Sequence, residues 1–95
     1  MRNADMGYKD YGLSKGDVIR TKEYCRKADA AKKDIIMTVI HATNPQISEQ
    51  LYNSLVHRMS YERLNKTKYI PMCDRSFYGW RRKVIFELHC LISDK

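Results

Sequence analysis

The stretch SYERLNKTKYIPMCDRSFYGWRRKVIFEL, residues 60–88, decides how this chain is read. Ser60 has a side chain suited to capping a helix, and Tyr61 and Leu64 follow at one-turn spacing, so a short helix starts there. Residues 66–72, which contain Ile70-Pro71, interrupt the pattern and form the turn. Asp74 then opens the longest helix. Its stripe is Phe77, Arg81, Val84, Leu88 and Leu91, with Tyr78, Ile85 and Ile92 alongside. Gly79 lowers helix propensity by up to about 1 kcal/mol, which is tolerable where another backbone or a ligand comes close.

Upstream, Leu13-Ser14-Lys15-Gly16-Asp17-Val18 is a helix start. Ser14 caps the free N–H groups, Asp17 reaches back three residues later, and Leu13 and Val18 clamp across the cap. This helix is expected to run to about Ala28. Asp29 caps a second, in which Ile36, Val39, Ile40 and Thr43 share a face. Pro45 ends it near Asn44 and opens a third, where the missing N–H is no loss. Ile47, Leu51 and Leu55 line one side of the third helix; Tyr52, Val56 and Met59 flank it. Residues 1–12 hold Gly7 and Gly12 without periodicity and read as a flexible arm. The expectation is a single all-α domain of about five helices: an arm (1–12), a helical base (13–59), and a C-terminal pair (60–92) packed on it.

Composition agrees. With 43% hydrophobic and 31% charged residues the chain has enough apolar surface to fold. The net charge of +7 is uneven. Residues 1–57 carry nine Lys/Arg against seven Asp/Glu, and residues 58–95 carry nine against four. The basic excess therefore lies with the C-terminal pair, and it suits a polyanion, because each neutralised phosphate releases counterions. Cys25, Cys73 and Cys90 are odd in number and widely spaced, which argues for a reducing compartment. No apolar signal region or membrane-length run occurs, so a cytoplasmic protein with no membrane partner is expected.

Catalytic chemistry has no foothold. His41, His57 and His89 sit on three separate expected helices, and no Cys or His lies four residues from another, so no metal or other cofactor is expected. There is no phosphate-cradling glycine loop and no nucleophile elbow. Cys73, near a helix start and beside Arg75, is the one thiol with a reason for a lowered pKa. An enzyme is not expected.

A short helix, a turn and a second helix that carries cations form the layout of a helix-turn-helix, which presents its second helix to the DNA major groove. On that reading Arg75, Ser76, Tyr78, Arg82 and Lys83 face the groove together with Gly79. Arginine can hold guanine through two hydrogen bonds, and hydroxyls can bond phosphate. Arg63, Lys66 and Lys68 would meet the sugar–phosphate backbone. Lys9, Arg2 and Tyr8 could reach a minor groove, although a free tail suits them better. The bland alternative is a solvated basic face with Arg81 paired to an acid such as Glu62. The aromatics Tyr61, Tyr69, Phe77, Tyr78, Trp80 and Phe86 read as a small core holding the two helices.

The stretch resembles the helix-turn-helix of sigma-factor region four and of phage late-gene activators of the RinA and ArpU type. Ser60, Tyr61, Glu62 and Leu64 match its Ser-Tyr-Glu-Glu-Ile start, and Ile70 stands ten residues after the serine, as in that family. Phe77, Tyr78, Arg81, Arg82 and Leu88 match the pattern of its second helix. Asn65 stands where the family has alanine, Tyr69 where it has glycine, and the segment from Ile70 to Phe77 is two or three residues longer. The wording also resembles small proteins of prophages and mobile elements. The resemblance implies a DNA-binding transcriptional regulator with double-stranded DNA as partner. RNA polymerase, another host protein or a second copy of the chain remain open as partners. The alternative function is a phage-encoded protein-binding module that blocks a host machine such as a CRISPR nuclease or RNA polymerase.

Overall fold

The computed structural model describes residues 5–93. Five α-helices and no strand are found among them: α1 (Lys15–Arg26), α2 (Ala30–Thr43), α3 (Ser48–Val56), α4 (Tyr61–Thr67) and α5 (Asp74–Ser93). Local chemistry sets most boundaries. Ser14 Oγ accepts from the Asp17 N–H at 3.1 Å while the Asp17 carboxylate accepts from the Ser14 N–H at 3.0 Å, a reciprocal capping box. Asp29 accepts from the Lys32 N–H at 2.9 Å, and Ser60 from the Arg63 N–H at 3.3 Å. The third segment starts as a 3-10 turn, Pro45–Ile47, before becoming α3.

The core is built from one face of each helix. Ile36 and Ile40 of α2, Leu51 and Leu55 of α3, Leu64 of α4, and Phe77, Val84, Ile85 and Leu88 of α5 are buried. Ile47 and Ile70 join them from the connections. α5 is the hub: it packs against α1, α2, α4 and the N-terminal segment, while α3 bridges α1, α2 and α4. From Ser76 to His89 every residue of α5 is buried or half-buried.

The N-terminal residues differ from expectation. Tyr8–Tyr11 forms a 3-10 turn seated on α5, with the Tyr11 and Phe86 rings stacked at 4.9 Å. Gly12 closes this turn at φ 73°, a geometry that favours glycine. Nothing in the local pattern announces this, because the partners are aromatic rings far along the chain. Arg2 lies outside the described residues.

Candidate functional site

The α4–α5 unit is fixed by hydrogen bonds that cross it. The Tyr61 N–H at the start of α4 donates to Tyr78 Oη at 3.1 Å, and Tyr61 Oη donates to the Met72 carbonyl. Tyr61 and Tyr78 both pack around the buried Phe77, with ring centroids 5.6 and 5.5 Å from it. The turn is closed by Asn65, whose Oδ1 accepts from the Ile70 N–H at 2.8 Å. This polar side chain ties down the turn, and Tyr69 passes outside it, 75% exposed.

The residues expected to face DNA divide into two groups. Arg63 and Lys66 lie one turn apart on the open side of α4, and Lys68 follows in the turn; all three are exposed. Lys68 pairs with Glu49 at 3.1 Å across the surface. On α5 only Arg75 is exposed, and it is ion-paired with Asp5. Ser76 is half-buried, with Oγ 3.5 Å from Cys73 Sγ, a contact that draws the thiol pKa down. Tyr78 is half-buried and committed to the α4 backbone. Arg82 donates from Nε to the Met6 carbonyl at 2.7 Å. Lys83 lies over the Trp80 ring at 5.6 Å. Gly79, expected on the open face, is buried. In the N-terminal turn Lys9 is exposed, whereas burial raises the Tyr8 pKa. α5 therefore does not stand clear of its scaffold: Asp5 and Met6 bond the Arg75 and Arg82 side chains, which lie two turns apart on one face.

A second cationic cluster brings together residues from distant parts of the chain. A groove of about 480 Å³ opens between α1, the α3–α4 connection and α5. Lys22 and Arg26 enter from α1, Arg58 from the connection and Arg81 from α5; Glu23 is the acid there, 3.9 Å from Arg26. Arg81 was expected to pair with an acid or to face the core. Instead its Nε is buried without a hydrogen-bond partner among the described residues, an arrangement that costs on the order of 1–3 kcal/mol. Burial, and then the Arg81 charge, lower the pKa of the Lys22 ammonium, as expected where cations crowd together.

Arg58 occupies the residue position after the cap of α3, at φ 57°. The Met59 N–H reaches back six residues to the Asn53 carbonyl at 3.3 Å, which closes this end of the helix. Glycine is the usual choice there, and a side chain costs roughly 1–2 kcal/mol. The chain thus holds a guanidinium at a position where the backbone favours having no side chain. Sequence reading missed Lys22, Arg26 and Arg58. The only local signal was the four-residue spacing of Lys22 and Arg26, which is common on solvated helix faces.

No group of three or more His, Cys, Asp or Glu residues able to hold a metal ion is found among the described residues. No described helix is long and apolar enough to cross a membrane. The fold and the two cationic surfaces define a small all-α protein with an electropositive character. No family model matches the chain, and no curated protein or solved structure does.

Proposed function

We propose that the protein binds double-stranded DNA, chiefly through the sugar–phosphate backbone, with the α4–α5 unit as its contact surface. The observation that carries this reading is the set of exposed cations Arg63, Lys66, Lys68 and Arg75 along α4, the turn and the start of α5. Two of them are held in surface ion pairs, which are worth only about 0–1 kcal/mol and yield readily to a phosphate. The formal charge of +7 adds long-range attraction. Base reading by Arg82 or Arg75 is a further step, for which the Asp5–Met6 segment has to leave α5. A regulator of a phage or mobile-element transcription programme, as the resemblance implies, would use that step for sequence choice.

The test is fluorescence anisotropy with a labelled random duplex over a salt series. Binding at low salt that weakens linearly on a log–log plot is expected. Arg63→Ala and Lys66→Ala each lower the slope by about one unit. No binding at low salt would remove the reading. A second reading is a protein partner that presents an acidic segment, such as a host nuclease or polymerase. It draws on the contacts already made inside the molecule, since Arg75 holds a carboxylate and Arg82 a main-chain carbonyl.

A further inference from the structure

We propose that the groove between α1, the α3–α4 connection and α5 binds a phosphorylated small molecule of mononucleotide size. Arg58 and Arg81 would hold its phosphates, and Ile19, Leu55 and Met59 its apolar body. The inference does not depend on the DNA reading, because the cations that carry that reading, Arg63, Lys66, Lys68 and Arg75, do not line the groove.

Three observations carry it. First, the charge is unbalanced: Lys22, Arg26, Arg58 and Arg81 face a single carboxylate, Glu23. A lone carboxylate ligand would leave most of that charge unmatched, whereas a diphosphate brings several negative charges and many acceptor oxygens. Second, two of the cations are placed at a conformational or solvation cost. Arg58 sits in the left-handed region where glycine is the default, and the buried Arg81 Nε has no partner among the described residues. Such costs gather where a side chain serves a site. Third, the size and lining fit. The groove's 480 Å³ falls in the range of small-ligand sites, roughly 300–1,000 Å³. Its apolar wall of Ile19, Leu55 and Met59 stands beside the cations, an arrangement suited to a molecule with an anionic end and an apolar end. The Lys22 pKa is lowered first by burial and second by the Arg81 charge beside it.

The experiment is isothermal titration of the full chain with ADP, pyrophosphate and adenosine as probes, at fixed ionic strength. ADP should bind more tightly than pyrophosphate, and adenosine should show no heat. Arg81→Gln and Arg58→Gly should each weaken ADP binding by roughly tenfold or more. Arg63→Ala, on the other surface, should leave it unchanged. Arg58→Gly is the safeguard against misfolding, because glycine accepts the observed φ and only the guanidinium is lost. Absence of ADP binding, ADP binding indifferent to both variants, or adenosine binding as well as ADP would each overturn the proposal. So would loss of duplex affinity in both variants with no ADP binding, which would assign the groove to nucleic acid.

Discussion

The two halves of the α4–α5 unit both carry an excess of cations but use them differently. α4 is seven residues long, and Arg63 and Lys66 on its outer side are exposed. α5 is twenty residues long and contains four cations, yet only Arg75 is exposed. The difference arises from packing. A short helix on the rim buries one residue, Leu64, whereas the hub is enclosed by α1, α2, α4 and the N-terminal turn. Long cationic side chains on such a hub lay their stems along apolar neighbours and bring their heads out at the edges. Counting charges on a helix thus says little about which of them a partner can reach.

The contrast can be broken most severely at Phe77. Truncation to alanine should cost about 3–5 kcal/mol in chemical denaturation, because the ring is fully buried between α4 and α5. A loss below 1 kcal/mol would show that the hub is not packed as described.

Two thiols sharpen the same contrast. Cys25 of α1 is fully buried, and burial pushes its pKa from the ordinary 9.0 up to about 11. The unfolded chain ionises this thiol first, so stability is unaffected below about pH 9 and falls as pH rises toward 11. The loss should reach about 2–3 kcal/mol and be absent from Cys25→Ala when the two proteins are compared across that range. Cys73 is exposed immediately before α5, and its pKa is lowered by the Ser76 hydroxyl, so a thiol reagent should modify it well before Cys25. Equal rates would mean that Cys25 is not buried as described.

A smaller effect separates structure from recognition at Tyr78. Tyr78→Phe removes the acceptor of the Tyr61 N–H and should cost about 1 kcal/mol, with duplex affinity unchanged. A fall in affinity without a fall in stability would return Tyr78 to the contact surface. The smallest expected change is in the double variant Arg63→Ala/Lys66→Ala. Its stability should stay within about 0.5 kcal/mol, as both side chains lie open to solvent. A larger loss would mean that the rim of α4 is structural.

Much of the fold was legible because its signals are local. Ser14, Asp29 and Ser60 cap where their side chains and spacing suggest, and Pro45 ends α2 and begins the next segment. The buried stripe of α5 was readable at Phe77, Val84 and Leu88, with Ile85 beside it, whereas Leu91, expected on the same stripe, is 50% exposed. The rest depends on distant partners. Tyr11 stacks on Phe86, Asp5 pairs with Arg75, and Met6 receives Arg82, contacts that no window of the sequence contains. The groove was hidden for the same reason: Lys22, Arg58 and Arg81 come from three segments, and each alone resembles a solvated cation. The number of sides on which α5 is covered also lies outside a periodicity argument, which finds an apolar stripe but not the neighbours wrapped around it.

The central position of α5 has a consequence for biosynthesis. Translation delivers α1, α2 and α3 before the segment that fills the seam among them. While the ribosome is still adding that segment, Ile36, Ile40, Leu51 and Leu55 have only one another for cover. Closure of the native core therefore waits until residues 77–88 have left the exit tunnel, and a stalled chain shorter than this should be a good client for chaperones.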